Sequence, residues 1–101
     1  MDYLGKHLLV ELYECDSLKL NDQNLLEKIL GEAVRISGAT ALKASFHQFA
    51  PQGVSGVIVI AESHFTIHTW PEYGYPALDI FTCGYSINNQ QALDYIEKEL
   101  D

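Results

Sequence analysis

The stretch Ser63-His64-Phe65-Thr66-Ile67-His68-Thr69-Trp70 changes character at every residue. On an extended chain Phe65, Ile67 and Thr69 fall on one face, and His64, Thr66, His68 and Trp70 on the other. This is the pattern of a strand that buries one face and presents a polar, aromatic one. Working outward, Gly56 to Ala61 is β-branched and continuous, a buried strand. Thr40 to Phe49 forms another strand, ended by the loop Ala50-Pro51-Gln52-Gly53. On the other side, the loop Pro71–Pro76 (PEYGYP) leads into a short strand, Ala77 to Thr82. The chain opens with a strand over Lys6 to Glu14. Leu25, Leu26, Ile29, Leu30, Ala33 and Val34 then make an apolar stripe at helical spacing. Asn21 is its expected N-cap, with Leu20 and Leu25 as a staple, and Gly38 its stop. Asn88 or Asn89 caps a last helix with the stripe Ala92, Leu93, Ile96 and Leu100.

The order β-α-β-β-β-β-α predicts an α+β protomer, a two-layer sandwich of a mostly antiparallel sheet with two helices on one face. The other sheet face carries polar and aromatic side chains, and a second protomer is its economical cover. The length, 101 residues, fits a single domain spanning 1–101. With 48% apolar and 11% aromatic residues, the composition excludes intrinsic disorder. The longest apolar run, Val57 to Ala61, is too short to span a membrane, and the charged N-terminal stretch does not read as a signal peptide. The formal net charge of −8 argues against a nucleic-acid or anionic-membrane surface and suits a neutral or cationic ligand. Two cysteines, Cys15 and Cys83, without a secretion signal read as free thiols in a reducing compartment, so a cytoplasmic protein is expected.

Reactive side chains concentrate between Glu62 and Cys83: Glu62, Ser63, His64, His68, Trp70, Glu72, Asp79 and Cys83. Singly, each has an ordinary reading as strand surface or core. His47, His64, His68 and Cys83 lack the paired, short-spaced ligands of structural zinc, so no metal site is expected. A nucleophile elbow is missing too, because Gly53-Val54-Ser55-Gly56 is one residue short of G-x-S-x-G.

The combination is more specific. Glu62-Ser63-His64, Thr66-Ile67-His68-Thr69-Trp70-Pro71-Glu72 and Phe81-Thr82-Cys83-Gly84 together resemble the prokaryotic S-adenosylmethionine decarboxylases. Gly5-Lys6-His7-Leu8, Phe46-His47-Gln48-Phe49 and Gly53-Val54-Ser55-Gly56 extend the likeness from about Leu4 to Gly84. The resemblance implies a proenzyme that makes a pyruvoyl cofactor from its own backbone. Ser63 would attack the Glu62 carbonyl, turning the peptide bond between Glu62 and Ser63 into an ester. Elimination and hydrolysis would then leave the pyruvoyl group at residue 63. Ser55 with His68 would stabilise the tetrahedral intermediate, and His68 would be the base for elimination. In the mature enzyme the group would condense with the amine of S-adenosylmethionine and accept electrons as carbon dioxide leaves. Cys83 would then protonate the carbanion. Phe49 and Trp70 would stack on the adenine near the sulfonium, Glu72 would bind the ribose, and Phe65 would shape the substrate pocket.

Ser63 and His68 differ by an odd number of positions, so a regular strand points them to opposite faces. Either the cleavage junction breaks the pleat or Ser63 meets the His68 of another chain. The resemblance implies the second, an active site shared across a homodimer whose sheets stack as an αββα four-layer particle. Two departures stand out: Phe65 where the family often carries Leu, and an end at Asp101 where relatives usually continue through a further strand and a tail. Decarboxylation of ornithine or arginine on the same scaffold, or a catalytically dead regulatory homologue, are the alternatives to polyamine-pathway decarboxylation of S-adenosylmethionine.

Overall fold

The computed structural model describes residues 4–84 and 86–101. The elements run β1 (Lys6–Glu11), α1 (Ser17–Leu20), α2 (Gln23–Ser37), β2 (Ala41–Gln48), β3 (Val54–Ile60), β4 (Ser63–Trp70), a 3-10 turn (Pro71–Tyr73), β5 (Tyr75–Thr82) and α3 (Asn89–Leu100). The five strands form one sheet in the order β1-β5-β4-β3-β2. Every neighbouring pair is antiparallel. This is the expected α+β layering, with α2 and α3 against each other and α2 against β2 and β3.

Strand alternation decides the two faces. Val54, Ile58 and Ile60 of β3, Phe65 and Ile67 of β4, and Leu78 and Ile80 of β5 point at the helices and are buried. From the helix side Leu26, Ile29, Leu30, Ala33 and Val34 of α2 meet Ala92, Ile96 and Leu100 of α3 in the same core. Thr69 is buried with them, and its hydroxyl is used twice: it accepts from the Val54 N–H at 2.9 Å and donates to the Leu20 carbonyl at 2.7 Å. A buried hydroxyl left without partners would be costly, and this one has them.

Several boundaries differ from the sequence reading. The cap of α2 is Asp22, whose carboxylate accepts from the Leu25 N–H at 3.1 Å, and not Asn21. Asn21 is committed elsewhere: its side-chain oxygen accepts from the Gly53 N–H at 2.9 Å and from Gln48 Nε2 at 2.8 Å, pinning the β2–β3 loop. Leu20 is therefore no staple; it ends the one-turn helix α1, capped by Asp16, and is fully buried. β1 ends at Glu11, short of the expected Glu14, which has φ 58°. β5 starts at Tyr75, because Pro76 joins the ladder opposite Thr69 although it has no N–H to donate. Gly38 does close α2, in the left-handed conformation at φ 87°.

Gly56 lies under the ring of Phe46, its partner on β2. A Cβ added there would stand 2.1 Å from Phe46 Cε2, so the ring would have to leave. Gly56→Ala is expected to lower the unfolding free energy by about 1–3 kcal/mol, the usual cost of overfilling a fitted contact. A urea midpoint unchanged from the parent protein would show that Phe46 moves aside without loss.

Candidate active site

The face of the sheet away from the helices is ordered in rows by the strand register. The first row runs His7 (β1), Phe81 (β5), His64 (β4) and Val59 (β3). The second runs Leu9, Asp79, Thr66, Val57 and Ser45, the last on β2. The third runs Glu11, Ala77, His68, Ser55 and His47. Trp70 and Tyr75 pair beyond it, with ring centroids 5.3 Å apart. Tyr75 donates to the Glu11 carboxylate, which pushes its phenol up to about 12 and keeps the proton on it.

At one end of this face lies the Glu62–Ser63 junction. Ala61 and Glu62 form the tight turn between β3 and β4, and Ser63 follows opposite Ile60 and Thr82. Ser63 has φ 145°, a conformation that L side chains rarely adopt. The Glu62 carbonyl accepts the Cys83 N–H at 2.9 Å, which brings Cys83 to the junction through the backbone. Cys83 is a free, exposed cysteine. Ser63 Oγ lies 3.4 Å from His64 Nδ1, His64 Nε2 lies 3.4 Å from Asp79 Oδ1, and His7 Nε2 lies 2.5 Å from the same oxygen.

The other end holds His68. Its Nδ1 is 2.8 Å from Ser55 Oγ, so the expected Ser55–His68 pair forms within one protomer. The two line a shallow depression of about 210 Å³ with Ser45, His47, Val57 and Thr66. Phe49 is 46% exposed and meets His47 edge-on at 4.5 Å, while Trp70 is 41% exposed. Glu72 sits in the turn after β4 and lines a separate hollow with Leu18, Asn21 and Gln52. Larger hollows of about 530 and 570 Å³ lie along β1 and α3, lined on the β1 side by Glu11 and by His7 and not by Ser55, His68, Phe49 or Trp70.

The structure thus brings together Glu62, Ser63 and Cys83 at one end, and Ser55, His68 and Trp70 at the other. It does not bring Ser63 to His68 within the protomer: five residues along a strand are roughly 17 Å. Phe65 requires a correction. It is fully buried on the helix face, so it packs the core and does not line a substrate pocket. The contacts of His64 with Asp79 and of Asp79 with His7 went unread in the sequence, where the partners stand 15 and 72 positions apart. Their signal was the shared alternation of His64 with His68.

Comparison with known proteins agrees with this geometry. A family model described as S-adenosylmethionine decarboxylase matches residues 6–101. The S-adenosylmethionine decarboxylase proenzyme of Clostridium tetani is 50% identical over 101 residues, covering 100% of this chain and 80% of that relative. Those of Acetivibrio thermocellus and Thermotoga maritima are 53% and 51% identical, covering 95% and 99% of this chain and 77% of each relative. The crystal structure of the adenosylmethionine decarboxylase from Aquifex aeolicus superposes with a TM-score of 0.90 at 38% identity, covering 96% of this chain and 80% of that one. A fold, a chain-long match and an unusual serine junction all point one way, and this chain belongs to the S-adenosylmethionine decarboxylase family of enzymes.

Proposed function

We propose that the chain is a self-processing decarboxylase that converts S-adenosylmethionine into its decarboxylated aminopropyl donor for polyamine synthesis, using a pyruvoyl group made from Ser63. The observation that carries this reading is the Glu62–Ser63 junction. A serine at φ 145° stores strain of about 1–3 kcal/mol in the backbone. The carbonyl that Ser63 must attack is already held by the Cys83 N–H, a donor placed where negative charge develops. Attack joins Oγ to the Glu62 carbon and releases the Ser63 nitrogen, giving an ester. Loss of the α-hydrogen then expels the Glu62 carboxylate and leaves dehydroalanine, whose imine form adds water and releases the Ser63 nitrogen as ammonia, giving the pyruvoyl group. When present, that group supplies an electron sink for decarboxylation. Cys83, whose backbone N–H is bonded to the Glu62 carbonyl in the uncleaved chain, is the proton donor to carbon. The residues at the junction fit this chemistry: a β-hydroxyl on Ser63, and a Glu62 carbonyl polarised by the backbone N–H of a cysteine.

His68 and Ser55 complete the site from a second protomer. The junction and the Ser55–His68 pair lie at opposite ends of one open sheet face. Stacking two such faces about a two-fold axis that runs across the strands lays each end over the other end of its partner. Each of the two sites then holds Ser63 and Cys83 of one copy and Ser55, His68, Phe49, Trp70 and Glu72 of the other. Exposed Leu9 on the edge strand β1 and exposed Val59 on β3, both on this face, support the same cover. Phe49 and Trp70 offer aromatic faces to the adenine and the sulfonium, and Glu72 a carboxylate to the ribose.

Three measurements test this reading. Denaturing mass spectrometry of the wild-type protein is expected to find residues 1–62 and 63–101 as separate chains, the second with a blocked N-terminus. Ser63→Ala should stay one chain without decarboxylase activity. A single intact mass accompanied by full activity would exclude the mechanism. Co-expressed Ser63→Ala and His68→Ala chains should restore part of the processing that neither shows alone, because one of the two mixed sites regains both residues. Sedimentation as monomer alone at micromolar concentration would remove the shared site. Carbon dioxide release, followed in parallel from S-adenosylmethionine, ornithine and arginine, is expected from the first. Release from either free amino acid alone would leave the processing chemistry standing and overturn the substrate.

A further inference from the structure

We infer that His64 is the base that activates Ser63 for the first step of chain cleavage, with Asp79 as the residue that positions it. The inference rests on the proposed self-cleavage at Ser63 and separates its two proton transfers: ester formation belongs to His64, elimination to His68. Within one protomer the Ser63 hydroxyl faces His64 Nδ1 at 3.4 Å. The far nitrogen, Nε2, faces Asp79 Oδ1 at 3.4 Å. An ionised carboxylate only accepts hydrogen bonds, so Asp79 places the imidazole proton on Nε2 and leaves the Nδ1 lone pair toward the serine. The contacts are long for formed hydrogen bonds, as in many catalytic groups before their reacting complex tightens. The order serine, histidine, aspartate is that of an activated nucleophile, here built from neighbours on β4 and a residue of β5.

Two further features hold the arrangement. The His64 ring lies over Phe81 with centroids 6.0 Å apart at 30°, which restrains its swing. His7 donates to the same Asp79 oxygen from the other side and packs on the other flank of Phe81, 5.1 Å between centroids. Asp79 is thus fixed by β1 as well as by its own strand. The His68 of the same protomer has no comparable access, since it lies at the far end of the face, and in either copy its Nδ1 faces Ser55 Oγ at 2.8 Å.

The step balances without a co-reactant. The proton of Ser63 Oγ passes to His64 Nδ1 as Oγ bonds to the Glu62 carbonyl carbon, and the carbonyl oxygen takes the negative charge beside the Cys83 N–H. The Glu62–Ser63 carbon–nitrogen bond then breaks as the same proton moves from His64 to the Ser63 nitrogen. An ester and a free amine result. No electrons are gained or lost overall.

The test follows the chain and not the decarboxylation. In the full-length protein, His64→Ala should slow conversion to residues 1–62 and 63–101 by about 100-fold or more, the range of a lost general base. Added imidazole should restore part of the rate. Hydroxylamine should release nothing extra from His64→Ala, because no ester forms, whereas His68→Ala should build up an ester that hydroxylamine cleaves. The double variant should accumulate none. His64→Gln keeps a polar side chain over Phe81 but no base; it should retain the wild-type urea midpoint and still fail to cleave. Asp79→Asn should slow cleavage and shift its rate less steeply on imidazole addition. Cleavage of His64→Ala at the wild-type rate, an ester accumulating in it, or a folded His64→Gln that processes normally would each overturn this assignment. A wild-type chain that never cleaves would instead overturn the proposed function on which it stands.

Discussion

β4 lies between β3 and β5, paired along its whole length with β5 and over Ser63–His68 with β3, so its alternation is imposed on the sheet around it. Its inward residues Phe65, Ile67 and Thr69 are all buried, and Thr69 ties the start of β3 to the end of α1 through one hydroxyl. A slip of one residue would send these three to water and bring His64, His68 and Trp70 into the core. The register is therefore held by burial, and it holds the β3–β4 turn with it. Ser63 keeps its strained φ because Ile60, Thr82 and the Cys83 N–H fix the chain on either side.

Covering the sheet on one side only has a chemical consequence. Helices α2 and α3 take the apolar face and leave the other with four histidines, Asp79, Glu11, Trp70 and Tyr75, interspersed with exposed Leu9 and Val59. These groups divide into a strained serine junction with His64, Asp79 and His7 at one end, and Ser55, His68 and Trp70 at the other. At one end His64 lies between Ser63 Oγ and Asp79 Oδ1, at 3.4 Å from each, and at the other His68 Nδ1 meets Ser55 Oγ at 2.8 Å, so each end presents its own histidine. The proposed division of labour between His64 and His68 follows from that separation.

The amino-acid sequence determined much of this by itself. Period-two alternation over Ser63–Trp70, the helical stripe from Leu25 to Val34 and the stop at Gly38 were legible because burial acts on each element locally. The Glu62-Ser63-His64 junction and its companions carried the resemblance to the family, since several short motifs in one order along the chain are a specific signal. The odd spacing of Ser63 and His68 left two readings, a broken pleat at the junction or a His68 from another chain. Tertiary structure decided the rest. Asn21 and Asp22 are equally good caps on paper, and only the arrival of Gly53 and Gln48 at Asn21 selects Asp22. Phe65 belongs to the core because the helices cover its face of the sheet. Asp79 meets both His7 and His64 because the strand order places β5 between β1 and β4. Contacts of this kind depend on the pairing of strands distant in the chain. Local propensity and spacing carry no record of it.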